Sequence, residues 1–239
     1  MVGYFFCSKK LLIISVFCIS LFLYPAYVFS ANTEFQRPPG GAGEPWHLAL
    51  ADPQTFYITI YKVALVKDDD SEFTLYENPS GLTVELMNNQ FVPVSDVDVP
   101  AGHYKEIKIT VSATYGLKGY CYYEDSNTGK KGYWYTKDGS DQSNIGFSES
   151  IPNPGTQRVT ITDAGSGAEL ITYNGKSAIQ YSNDIDLTIK VGERPRIRAE
   201  FYADNILELN DSTPDIGSDG GSPAQITFED IPPVIVSTH

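Results

Sequence analysis

Of 239 residues, three are cysteine, three histidine, two methionine and two tryptophan. Each shortage closes off some chemistry. Cys7 and Cys18 lie in an apolar leader, so Cys121 stands alone in the rest of the chain. One thiol closes no internal disulfide, and stability must come from burial. No zinc-type Cys/His spacing, Walker-type phosphate loop or dinucleotide fingerprint occurs. The histidines stand at 47, 103 and 239, one in an N-terminal linker and one at the terminus. No G-x-S-x-G elbow is present, and Gly165-Ser166-Gly167 reads as a turn. The expectation is a protein that is not an enzyme and uses no cofactor and no metal. A carboxylate-based hydrolase is the enzymatic alternative, because acids are plentiful and their separation is a three-dimensional matter.

Positive charge is scarce as well. Lys and Arg total 17 against 30 Asp and Glu, a formal net charge of −13. Such a surface repels nucleic acid and anionic lipid, so neither is an expected partner. The basic residues Lys9 and Lys10 precede an apolar run from Leu11 to Tyr24 that Pro25 ends. Val28 and Ser30 offer small residues for cleavage before Ala31, which makes residues 1–30 a secretory signal peptide. The rival is a retained anchor, with an apolar stretch at the short end of the ~20 residues a span needs. A lipid anchor at Cys18 fits poorly behind bulky Phe17. Once the leader is removed no stable membrane span is expected, and the chain is placed outside the cytoplasm: periplasmic, at the cell surface or extracellular.

Helical periodicity is absent too. Residues 31–53 (ANTEFQRPPGGAGEPWHLALADP) are rich in Pro and Gly and read as a linker. From 54 to 239 the recurrent pattern is period-2 alternation. In 184–191, Ile185, Leu187, Ile189 and Val191 share one face, opposite Asp184, Asp186, Thr188 and Lys190. In 196–202, Ile197, Ala199 and Phe201 do the same. Further strands are expected at 55–65, 82–87, 105–113, 118–124, 131–136, 157–162, 168–173, 224–229 and 233–237. Polar clusters such as Asn78-Pro79-Ser80-Gly81 separate them, and 210–221 (NDSTPDIGSDGG) has the composition of a flexible acidic loop. Short strands with polar turns and no fixed repeat predict an all-β fold: a two-sheet antiparallel β-sandwich with Greek-key-like connections and no substantial helix after the leader.

The stretch DVDVPAGHYKEIKITV, 96–111, carries the clearest architectural signal. Pro100 ends one strand and Gly102 supplies turn freedom. Ile107, Ile109 and Val111 then alternate with Lys108 and Thr110. Tyr104 has the wrong parity for that face, so either a bulge lies near Lys105-Glu106 or Tyr104 precedes the strand and caps the sandwich edge. An acid/base pair of His103 and Glu106 would need further polar partners, and the neighbouring sequence supplies none. With Pro100, Ala101, Gly102, Tyr104, Ile107 and Ile109 after the V-x-L of LTVELM, the region 54–112 resembles a family of exported bacterial β-sandwich domains of unknown function. That family carries a PAG-x-Y-x-x-I-x-I turn and strand, with a basic residue where Lys108 stands; ITFEDIPPVIV resembles its closing strand. Similar turns occur in transthyretin-like and fibronectin-like sandwiches. The resemblance implies fold and export and brings no catalytic residues.

Function is sought in YGLKGYCYYEDSNTGKKGYWYTKDG, 115–139. A three-residue hairpin loop, Asn127-Thr128-Gly129, would pair Tyr122 with Trp134, Tyr120 with Thr136, Tyr123 with Tyr133 and Cys121 with Tyr135. With Cys121 inward, Tyr120, Tyr122 and Trp134 form an outward platform suited to a carbohydrate or protein ligand. The alternative is that cross-strand aromatics only stabilise the sheet. Acidic clusters at Asp68-Asp69-Asp70, at Asp138 with Asp141, and at Asp211, Asp215 and Asp219 invite comparison with calcium loops. Gly217 stands where an oxygen ligand is usual, and solvated turns are the expectation. The reading is an exported binding or adhesion module of the cell envelope. The alternative is a structural subunit that assembles by edge-strand pairing, and the oligomeric state is left open.

Overall fold

The computed structural model describes residues 46–86, 98–125, 128–164, 167–193, 197–201, 206–211, 223–228 and 234–238. The residues assigned to a leader and its cleavage site, and residues 212–221 of the expected 210–221 loop, lie outside them; Asn210 and Asp211 of that loop belong instead to a strand. The described residues contain strands and no helix. In chain order the strands are β1 (Trp46–Ala51), β2 (Thr55–Lys67), β3 (Glu72–Glu85), β4 (Gly102–Ser112), β5 (Thr114–Lys118) and β6 (Tyr120–Glu124). There follow β7 (Lys131–Thr136), β8 (Ile145–Ser148), β9 (Gln157–Thr160), β10 (Ala168–Tyr173) and β11 (Lys176–Ile189). The last are β12 (Ile197–Phe201), β13 (Leu207–Asp211), β14 (Gln225–Phe228) and β15 (Val234–Thr238).

All named strand pairs are antiparallel, and among the described residues no sheet closes into a barrel. The large sheet is built on one long path, β4 continued by β5. β2 pairs along one side of it, while β11 and then β9 pair along the other. β3 joins the far side of β2, and β10 the far side of β11. Three smaller sheets, β1-β13-β14, β6-β7-β8 and β12-β15, complete the sandwich.

Alternation explains the core. Phe56, Ile58 and Ile60 of β2, Ile107, Ile109 and Val111 of β4, and Tyr115 and Leu117 of β5 are all buried. They join one apolar cluster with Leu48 and Ala49 of β1, Leu207 and Leu209 of β13, Ile226 of β14, and Cys121, Tyr123 and Trp134. Burying a side chain of this size contributes about 1.5–3 kcal/mol. Phe56 and Tyr115 stack at 5.6 Å, and the Tyr115 and Tyr181 hydroxyls bond to each other at 3.0 Å inside the core. Burial is the main cause that pushes Tyr115 above the usual phenol range and Tyr181 up to about 12.

The two alternatives for Tyr104 resolve as the bulge. Val66 pairs with Glu106 and Lys67 with Tyr104, so Lys105 is the extra residue of β4. The skipped residue turns Tyr104 onto the face of Ile107 and Ile109, where it is fully buried. Its hydroxyl donates to the Pro100 carbonyl at 2.8 Å.

Several expectations are corrected. The stretch assigned to a 31–53 linker contains β1, whose Leu48, Ala49 and Ala51 are buried against β13; the Pro/Gly composition around it masks six residues of strand. Asn78–Gly81 does not separate two strands. It loops out of β3 opposite Tyr61, with Gly81 left-handed at φ 86° and Ser80 N–H bonded to the Asn78 side chain at 3.0 Å. Val191 does not share the buried face of Ile189, because the strand ends there and Val191 is 92% exposed. The segment 118–124 is not one strand of one sheet. Lys118 belongs to the large sheet and Tyr120 to the small one, and the chain crosses between layers at Gly119. A Cβ at Gly119 would lie 2.8 Å from Leu207, so only glycine fits this corner without displacement. Alternation continues unbroken through it, since Tyr115, Leu117, Cys121 and Tyr123 all face inward.

Candidate functional site

The β6–β7 hairpin closes one residue earlier than the three-residue loop implies. Asp125 N–H donates to Lys130 O at 2.8 Å and Gly129 N–H to Asp125 O at 2.7 Å, giving a four-residue loop. Gly129 takes the left-handed position expected of it, φ 67°. Tyr120 therefore pairs with Tyr135, Cys121 with Trp134, Tyr122 with Tyr133 and Tyr123 with Gly132. A one-residue change of register moves every side chain of one strand to the other face. Trp134 thus turns inward, 6% exposed, edge-on to Tyr123 and to Phe147 of β8. The platform of Tyr120, Tyr122 and Trp134 is corrected on that ground.

What faces outward instead is a tyrosine sheet: Tyr120 and Tyr122 of β6 with Tyr133 and Tyr135 of β7. Tyr122, Tyr133 and Tyr135 are half-buried, and Tyr120, at 8% exposure, forms the enclosed side of the patch. Tyr133 is the hub, edge-on to Tyr120 at 5.4 Å and to Tyr122 at 5.2 Å. Gly146 of β8 stands opposite Tyr135, and a Cβ there would meet the phenol ring at its Cζ and both Cε atoms. The Tyr135 ring thus lies flat over bare backbone, one face on glycine and the other outward. Glu124 and Lys131, exposed and opposite each other in register, mark the hairpin end of this face.

A second cluster lies at one end of the large sheet. His103 Nδ1 is 2.8 Å from Asp68 Oδ1, and Nε2 is 2.9 Å from Asp186 Oδ1. The polar partners His103 lacks in its own neighbourhood come from 35 and 83 residues away. Sequence separation hid them; the local hints were the Asp68-Asp69-Asp70 run and the polar face of 184–191 that carries Asp184 and Asp186. Glu106, the partner considered for His103, pairs in register with Val66 and Asp184. Beside this cluster Lys105 bonds Asp70 at 2.6 Å. Lys108 stands level with Ala64, whose small side chain lets it reach across β2 to Glu72 at 3.0 Å; Lys62 holds the other Glu72 oxygen at 2.7 Å. These two lysines keep the Glu72 carboxyl below its ordinary value.

The remaining candidates are turn chemistry. The Asp69 carboxylate accepts from Ser71, Asp141 from Ser143, and Asp138 from Thr156 N–H at 2.7 Å. Asp215 and Asp219 lie outside the described residues. Among the described residues no group of three or more His, Cys, Asp or Glu is arranged to hold a metal ion. Cys121 is fully buried, and burial first, with the charge of Glu208 second, pushes its thiol far above the range of a nucleophile. No protein-family model matches the chain, and searches of curated proteins and of solved structures give no match.

Proposed function

We propose that the chain is an exported, non-enzymatic binding module of the cell envelope that holds a neutral carbohydrate against the outer tyrosine face of β6 and β7. The observation that carries this reading is the Tyr135 ring laid flat over Gly146, beside Tyr122 and Tyr133. A flat phenol ring offers an apolar face to the C–H side of a sugar ring and a hydroxyl to its rim. Fixing rings on paired strands also lowers the ordering cost of binding. Export rests on the leader at residues 1–30 and on the resemblance of the Pro100–Ile109 turn to exported bacterial sandwich domains. The histidine whose side chain is described has both ring nitrogens facing carboxylates, which supports a role other than catalysis.

The competing reading, assembly by edge-strand pairing, has less in its favour at the β3 edge of the large sheet. That edge is interrupted by the Asn78–Gly81 loop and carries Glu72, Glu77 and Glu85, features that discourage strand addition. A panel of neutral and charged polysaccharides, tested by affinity electrophoresis, separates the outcomes. Retardation by a neutral glycan that is lost in Tyr122→Ala/Tyr135→Ala and kept in Trp134→Phe supports the proposal. Retardation unchanged in the double variant, or mass that rises with concentration without any glycan interaction, refutes it.

A further inference from the structure

We propose that His103, Asp68 and Asp186 form a proton-operated latch that clamps the β2–β3 turn, the start of β4 and the bulge of β11 together. Hydrogen-bond stoichiometry requires the proton. Each ring nitrogen of His103 faces a different carboxylate oxygen within 2.9 Å. A carboxylate only accepts, and a neutral imidazole has one N–H, so only the imidazolium donates to both. Loss of the proton points a ring lone pair at a carboxylate, and one of the two contacts must open.

The backbone places all three groups. Asp68 sits in the turn closed by Lys67 N–H to Ser71 O and Asp70 N–H to Lys67 O, both 3.0 Å. Asp186 projects from a bulge in β11, where Ile185 and Asp186 stand opposite Lys105 alone between the Asp184–Glu106 and Leu187–Tyr104 pairs. The charges of Asp68 and Asp186 themselves favour the protonated ring, and further charged groups stand on each element that meets there. From the turn come Asp69 and Asp70, the latter held by Lys105; from β4 comes Glu106; from β11 comes Asp184. Opposing them are Lys105 itself, Lys67, whose ammonium lies 5.7 Å from the Tyr104 ring, and Lys190, which pairs with Glu193.

The hydrogen bond to Asp186, then that to Asp68, raises the His103 pKa above 6.5. The sign follows. A group whose folded pKa is raised gives its full stabilisation below the unfolded value, and that stabilisation disappears as pH rises through the folded value. The latch is closed in mild acid and open in alkali.

The test compares melting temperatures of the full chain and of His103→Gln from about pH 5.5 to about pH 9, a window spanning the histidine titration. His47 and His239 are common to both proteins, so the difference isolates His103. The wild type is expected to melt higher at the acidic end, with the gap closing to zero as pH rises past the His103 midpoint. Ring-proton NMR of the wild type gives that midpoint directly, expected above 6.5, and lowered in both Asp68→Asn and Asp186→Asn. A melting gap that does not vary with pH, or a His103 midpoint at or below 6.5, overturns the latch.

Discussion

Tyr104 shows how much a single residue does in this chain. One extra residue in β4 turns it from the solvent side to the core, and its hydroxyl then ties the strand back to the Pro100 carbonyl. Ring burial and hydrogen bond are separable by Tyr104→Phe, which keeps the first and removes the second. A neutral hydrogen bond contributes about 0.5–1.5 kcal/mol net, and stability measured by urea unfolding is expected to fall by that amount. An unchanged midpoint would mean the Pro100 carbonyl finds water at no cost. His103 carries the same lesson for charge, since its meaning depends on two aspartates far away in the sequence.

At the scale of elements, the corner at Gly119 joins the two layers. The Thr136 hydroxyl, fully buried, accepts from Gly119 N–H at 3.1 Å and donates to the Gly155 carbonyl at 2.6 Å. Thr136→Val conserves shape and strands a buried donor and acceptor, a loss of about 1–3 kcal/mol. Urea unfolding of Thr136→Val is expected to show it, and a change no larger than that of an exposed Thr→Val control would contradict the assignment. Most strands were legible from alternation alone, including β2, β7, β10 and β12 with nearly their observed bounds. Strands β1, β5, β8 and β13 were not: β1 lies in the stretch read as a linker, β5 falls between the expected runs 105–113 and 118–124, Ile145–Ser148 is too short to alternate, and Leu207–Asp211 has Glu208 and Asn210 buried among its leucines. The 118–124 run hid a change of sheet because the inward face continues through Gly119. At the candidate site, residue type and segment were legible but register was not. Asp125, whose carboxylate accepts from Thr128 N–H at 3.2 Å, belongs to the pair that closes the longer loop and so sets which face Trp134 takes.

At the scale of the whole molecule, the two layers divide the work. The large sheet supplies most of the core and carries at one end the charge cluster around His103, while β6, β7 and β8 cover part of that core with Trp134 and Phe147 and leave their tyrosines outward. Because the two faces of a strand are opposite, alternation alone separates the buried side chains of β6 and β7 from the outward tyrosines proposed to meet a ligand. The outward rings are therefore the ones expected to sense a ligand. With tyrosine rings selectively labelled, NMR spectra recorded during titration with the tightest neutral glycan test this most directly. Tyr122, Tyr133 and Tyr135 resonances are expected to shift together and saturate, while those of core residues Tyr104, Tyr115 and Tyr181 stay still. Saturable binding that leaves the first three rings unmoved would contradict the tyrosine face as the binding surface.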